Sequence, residues 1–84
     1  METTNYVFAG KELTLREMKI ISLLVQLHTR KVIADNLGIS VNTLGHQLTI
    51  LYLKTETGNY LQLIIKALEN GFDKQGNYNG KPLE

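Results

Sequence analysis

The feature that most constrains the fold of this chain is the spacing of three residues, Ala34, Gly38 and Leu44. Two helices that cross closely at a sharp turn need a small side chain at the crossing, which Ala34 supplies. Four residues later the turn needs a residue that tolerates a positive φ, and glycine does so without steric cost. Leu44 can then pack back from the second helix onto the first. The spacing predicts two short helices joined by a tight turn.

Apolar residues recur at helical spacing in four segments of the chain. The predicted helices cover about 14–27, 30–37, 41–54 and 59–70. Each begins at a residue whose side chain can accept from the free amides of a first turn, namely Thr14, Thr29, Ser40 and Asn59. Glu17 lies three residues after Thr14, which completes a capping box. Alternation of apolar and polar residues, the signature of strands, is not found, so the predicted fold class is all-α.

Composition excludes several classes of protein. A length of 84 residues suffices for one small domain but not for two cores. The absence of cysteine excludes a disulfide framework, a thiolate zinc site and a cysteine nucleophile. Neither a membrane span nor the apolar core of a signal peptide is found in the sequence. We therefore expect a cytoplasmic protein that has no membrane partner.

The histidines and serines lack the neighbours that catalysis or metal binding needs. His28 and His46 are separated by a predicted turn and have no acidic partner at metal or triad spacing. Ser22 and Ser40 lack the context of a nucleophile elbow, and no glycine-rich phosphate loop follows a strand. We expect no enzyme activity, no metal or cofactor, and no small-molecule substrate.

Charge and composition divide the chain into three parts. We interpret residues 1–12 as an N-terminal extension, 13–72 as the helical domain, and 73–84 as a flexible tail, since the tail is polar and rich in Gly and Asn. The net charge is +1, yet residues 13–54 carry +3, from five basic and two acidic side chains. This concentration favours a polyanionic partner, although ordinary solvated Lys and Arg residues would produce it equally well.

The segment from Arg30 to Leu48 reads RKVIADNLGISVNTLGHQL. A helix, a glycine turn and a second helix are typical of the helix-turn-helix, in which the second helix can enter the major groove of DNA. The same pattern also occurs where the two helices serve only to pack a core. The pattern alone leaves both interpretations open.

Residues 13–54 resemble the C-terminal DNA-binding domain of the LuxR/GerE-type transcription regulators. The family's opening L-T-x-R-E is matched by LTLRE at 13–17. Its K-x-I-A-x-x-L-G-I-S-x-x-T-V is matched at 31–44, with Leu44 in place of the valine. Its I-Y-x-K is matched by LYLK at 51–54, and Gly71–Phe72 resembles the family's ending. The similarity needs no gap from 13 to 54 and covers about 60 of the 84 residues.

The resemblance implies a four-helix, LuxR-like domain that binds double-stranded DNA with the helix at 41–54 in the major groove. It implies that Gly45, His46 and Thr49 lie at base edges. Hydrogen-bonding capacity, charge and position near helix starts add further candidates for DNA contact: Arg30, Lys31, Ser40, Asn42, Thr43 and Lys54. Among these, Thr43 can donate its hydroxyl to a phosphate near the helix N-terminus.

Three departures from the family pattern affect the predicted DNA surface. The lysine that usually follows T-V is Gly45, and the family histidine three residues after T-V is Gln47. The leucine-glycine pair after Lys54 is Thr55-Glu56. Gly45 offers no side chain to a base and costs a helix about 1 kcal/mol relative to Ala. A second interpretation therefore stays open, a degenerate helix-turn-helix that serves protein interaction or dimerisation without specific DNA reading.

The last predicted helix has more apolar residues than one buried face needs. One set, Leu63, Ile64 and Ala67, can cover the core. A second set, Leu61, Ile65 and Leu68, follows the spacing of a separate stripe. Members of the resembled family commonly pair through this helix, which implies a weak homodimer. The alternative is that the stripe packs on the first helix or on the N-terminal segment.

Overall fold

Four helices make up most of the protein in the computed structural model, which describes residues 5–79 and 82–83. They are α1 (Leu15–Val25), α2 (Arg30–Leu37), α3 (Val41–Thr55) and α4 (Tyr60–Glu69). Each end lies within two residues of the predicted one. The described part of the chain is therefore mostly helical, as the apolar spacing predicted.

Three short strands correct the all-α prediction. They are β1 (Asn5–Phe8), β2 (Lys11–Leu13) and β3 (Pro82–Leu83), which pair antiparallel in the order β2-β1-β3. Strands of two to four residues are too short to show an alternating pattern. Phe8, in the segment expected to be an N-terminal extension, is fully buried, so this segment closes one side of the core.

One apolar core lies between the helices and the hairpin formed by β1 and β2. Its largest fully buried apolar side chains are Phe8, Leu13, Ile20, Ile21, Ile33, Leu44, Leu48, Leu51 and Leu63. Leu44, Leu48 and Leu51 come from α3 and recur at the spacing of one helix face. Their burial determines that the opposite face of α3 is turned to solvent.

The connection between α2 and α3 is the tight turn predicted at Gly38. Gly38 has a φ of 72° and a ψ of 30°, the left-handed conformation. The N–H of Ile39 donates to the carbonyl of Ala34 at 3.0 Å, which closes the last turn of α2. Ser40 is extended, and its Oγ accepts the N–H of Thr43 at 3.0 Å to begin α3. Three residues therefore join the two helices.

Residues 73–77 form a turn organised by one carboxylate, in the segment that the sequence predicted to be flexible. Oδ1 of Asp73 accepts the N–H of Gln75 at 2.9 Å and that of Asn77 at 3.0 Å. These bonds, chiefly the one from Asn77, hold the pKa of Asp73 below its ordinary value. Phe72 and Tyr78 pair across the turn in an antiparallel bridge.

This turn packs against α1 and β1. The hydroxyl of Ser22 donates to the carbonyl of Gly76 at 2.7 Å, and the hydroxyl of Tyr78 donates to the carbonyl of Val7. The rings of Tyr6, Tyr78, Phe72 and Phe8 contact one another in series. Hydrogen bonds between distant segments leave no apolar periodicity in the sequence. The sequence therefore carries no signal for this turn. Residues 80, 81 and 84 lie outside the described residues.

The helix α3 ends at Glu56, which adopts a left-handed conformation that is unusual for glutamate. Glu56 has a φ of 59° and a ψ of 43°. Its N–H donates to the carbonyl of Leu53, and the N–H of Thr57 donates to that of Tyr52 at 2.9 Å. Glycine commonly occupies this position, because an L side chain costs about 1–2 kcal/mol in the left-handed conformation.

Replacing Glu56 by Gly is therefore expected to stabilise the domain by about 1 kcal/mol in chemical denaturation. The Glu56 carboxylate lies 3.6 Å from the amino group of Lys11, but the two side chains are 70% and 48% exposed. Such a pair contributes less than about 1 kcal/mol. Lys11→Ala removes the ion pair alone and should change stability by under about 0.5 kcal/mol. A Glu56→Gly variant less stable than the parent would contradict this explanation.

Candidate nucleic-acid interface

The helix α3 presents a solvent-facing surface on the side opposite the core. Asn42, His46 and Thr49 are exposed together, as the helical spacing predicted. Three large apolar side chains share the surface, since Val41, Ile50 and Leu53 are 47%, 51% and 76% exposed. We call this surface the α3 face; it consists of Val41, Asn42, Gly45, His46, Thr49, Ile50 and Leu53.

The middle of the α3 face carries little side-chain bulk. A Cβ placed on Gly45 would meet no atom of the surrounding structure within 4 Å, so the space beside it is open. The hydroxyl of Thr49 donates to the carbonyl of Gly45 at 3.1 Å. This bond uses the Thr49 proton within the helix and leaves its oxygen as an acceptor toward solvent.

The N-terminus of α3 has a hydrogen-bonded cap that includes two predicted site residues. The Oγ of Ser40 accepts the N–H of Thr43, and its own proton is donated to Thr43 Oγ1, both at 3.0 Å. The Thr43 proton can then be directed at an outside acceptor. Both residues are exposed, and the positive end of the helix dipole adds to the attraction of an anion at this point.

The predicted basic contacts differ in their surroundings. Arg30 and Lys31 begin α2 and are exposed. The amino group of Lys31 lies 3.4 Å from Asp35, with both side chains more than two-thirds exposed. An exposed pair of this kind is weak and can exchange for a phosphate. These two residues therefore remain available for contact with a polyanion.

Lys54 is held by a contact that sequence reasoning missed. Its amino group donates to the two carboxylate oxygens of Glu17 at 2.8 and 3.1 Å. Glu17 is only 14% exposed and also accepts the N–H of Thr14 at 2.9 Å. A carboxylate this buried needs compensating charge. Lys54 thus joins the end of α3 to the start of α1, and as a phosphate contact it stays a prediction.

Thr55, which stands where the resembled family has leucine, is accommodated in a buried position. Thr55 is 1% exposed, and its hydroxyl donates to the carbonyl of Leu51 at 2.8 Å. Its own carbonyl accepts from the amino group of Lys66 at 2.7 Å. The polar groups of this buried threonine are therefore satisfied. Glu56, which follows it, takes the left-handed conformation described above.

The stripe on α4 is turned to solvent. Leu61 and Ile65 are each 57% exposed, and Leu68 is 40% exposed. The stripe is therefore about half exposed and is not buried against α1 or the N-terminal segment. A groove of about 450 Å³ borders the start of the stripe, between α4 and the end of α1. It is lined by Leu24, Leu27, His28, Thr29, Arg30, Tyr60, Leu61 and Ile64.

Within residues 5–79 and 82–83, no cluster of three or more His, Asp or Glu side chains could hold a metal ion. In the same part of the chain, no helix is long and apolar enough to cross a membrane.

Comparison with known proteins links the chain to one named regulator. It is 39% identical over 57 residues to ycf29 of Cyanophora paradoxa, a protein described as a probable transcriptional regulator. The matching stretch covers 68% of this chain and 27% of the relative, so the chain corresponds to about a quarter of that protein. No protein-family model matches the chain, and no solved structure matches it.

Proposed function

We propose that this chain is a DNA-binding domain of the LuxR/GerE type, which places α3 in the major groove and acts in transcription regulation. One observation carries the proposal: α3 follows a tight turn and exposes Asn42, His46 and Thr49 on a side that no other element of the described residues covers. The major groove is wide enough to admit such a helix. Similarity to a probable transcriptional regulator gives independent support for a regulatory role.

The first turns of α2 and α3 supply the contacts to the DNA backbone in this proposal. Arg30, Lys31 and Thr43, with the first amides of α3, contact phosphates and position the helix. Asn42, His46 and Thr49 then reach base edges. Because the basic residues are few, we expect weak binding whose affinity falls steeply with salt, by about 0.9 log units per log of salt for each phosphate neutralised.

An NMR titration with a mixed-sequence duplex at low salt tests the proposal. Amide shifts should cluster at residues 30–31 and 40–49 and disappear as salt is added. The second candidate function, protein interaction without DNA reading, is favoured by the apolar residues of the α3 face. It predicts no shifts in those two segments.

Replacing Gly45 by Lys is expected to tighten binding to duplex DNA about tenfold at low salt, because it adds a cation at an open position on the proposed interface. Gly45→Ala is the matched control, since it raises helix propensity at least as much and adds no charge. Fluorescence anisotropy with a labelled duplex measures both affinities. Equal affinities for the two variants would place Gly45 away from the DNA.

We further propose that two copies of the chain associate weakly through the α4 stripe. Leu61, Ile65 and Leu68 expose apolar surface over two turns of one helix, and surface of this kind commonly marks an interaction site. Sedimentation equilibrium should show dimers near millimolar concentration, and Ile65→Lys should abolish them. A parent chain that stays monomeric at that concentration would contradict the proposal.

A further inference from the structure

The α3 face carries no arginine or lysine. Within Val41–Thr55 the only residue of these two types is Lys54, whose amino group is held by Glu17 at 2.8 Å. Arg and Lys are the residues that most often pair with O6 and N7 of guanine in the major groove. Arg30 and Lys31 lie on α2, where the proposed contacts are to phosphates. For the acceptors of guanine, this helix therefore offers the exposed imidazole of His46 but no guanidinium or unpaired ammonium group.

The same face carries apolar side chains where a surface helix usually has polar ones. Ile50 and Leu53 lie one turn apart near the end of α3 and are 51% and 76% exposed. In the major groove, the thymine C5 methyl is the apolar group that base edges present. Contact between such a methyl and these side chains would remove both from water, which is favourable.

The same face carries a side chain that can hydrogen-bond to adenine, the base that pairs with thymine. Asn42 is exposed in the first turn of α3. A carboxamide can donate to N7 and accept from N6 of adenine in a bidentate pair. Gly45, one turn further along, leaves room for the helix backbone to come close to the bases. The face thus combines a group for adenine with groups for thymine.

We infer that the α3 face selects duplexes rich in A·T pairs, with Ile50 and Leu53 against thymine methyls and Asn42 paired with adenine. This preference rests on the DNA-binding function proposed above, and it assigns Ile50 and Leu53 a role in specificity.

Three duplexes of equal length separate the preference for A·T pairs from the contact with thymine methyls. One has a core of G·C pairs, one a core of A·T pairs, and the third repeats the A·T core with deoxyuridine in place of thymidine. With the 84-residue chain at low salt, we expect the A·T duplex to bind about tenfold more tightly than the G·C duplex. Deoxyuridine should weaken binding about fourfold for each methyl that is contacted. The salt dependence should be the same for all three, because the phosphates are unchanged.

A pair of matched variants assigns the methyl contact to α3. Ile50→Ser should lower the ratio of thymidine to deoxyuridine affinity, because serine has no methyl to contact thymine while Leu53 keeps its own contact. Val7→Ser makes a similar change at a side chain of similar exposure, 43%, on β1 and should leave that ratio unchanged. Circular dichroism checks that both variants fold.

The possible outcomes distinguish the preference for A·T pairs from the DNA-binding function on which it rests. Equal binding of the A·T and G·C duplexes, with a shared salt dependence, would overturn the preference and keep the DNA-binding function. Full affinity for the deoxyuridine duplex would overturn the methyl contact. No binding to any duplex would overturn both proposals.

Discussion

Replacing Leu44 by Ala is expected to lower the free energy of unfolding by about 3 kcal/mol, the largest effect among the substitutions considered. Leu44 is fully buried at the point where α3 packs back toward α2. Removing its side chain leaves a cavity that the two short helices cannot close without moving the turn at Gly38. Since small domains are stable by only about 5–15 kcal/mol, the variant should unfold at much lower urea concentration.

Leu53→Ala is the matched control for this experiment. It makes the same chemical change on the same helix, but Leu53 is 76% exposed, so its loss should alter stability by under about 0.5 kcal/mol. Similar losses of unfolding free energy in the two variants would show that α3 does not bury Leu44 and expose Leu53. The predicted DNA surface would then lose its basis as well.

Replacing Gly76 by Ala is expected to destabilise the domain by about 2–3 kcal/mol. Gly76 has a φ of 86°, and an added Cβ would lie 2.4 Å from Ser22 Oγ and 2.8 Å from the Ser22 carbonyl oxygen. A hydroxyl can rotate away, but a carbonyl within α1 cannot. The turn at 73–77 must therefore separate from the helix and lose the hydrogen bond between Ser22 and Gly76.

Gly45→Ala is a comparison variant whose stability should change in the opposite direction. The same methyl is added in the middle of a helix, in open space, and should stabilise the domain by up to about 1 kcal/mol. Chemical denaturation measures both changes, and hydrogen exchange at Asn77 reports release of the turn. If Gly76→Ala were as stable as the parent, the turn would not be packed on α1 in solution.

The helices could be predicted because their signals are local. Each predicted cap is present, with the side chains of Thr14, Thr29, Ser40 and Asn59 each accepting a backbone N–H of the first turn. Helical spacing likewise sufficed to predict that Asn42, His46 and Thr49 would be exposed together, because burial of one face of a helix determines the other.

The remaining features depend on contacts between distant segments. Ser22 and Gly76 are 54 residues apart, and Lys54 and Glu17 are 37 apart. Polar contacts at such separations leave no period in the sequence, so neither the docked turn nor the ion pair of Lys54 could be foreseen. The strands were missed because two to four residues carry too little pattern.

The pairing of β1 with β3 determines where attached segments leave the domain. Asn5 and Leu83 are register partners in neighbouring antiparallel strands, so the first and last described residues lie side by side. The chain therefore enters and leaves the described domain at one common point. Joining the termini with a short linker and reopening the chain between α3 and α4 should consequently yield a circular permutant with the same helices.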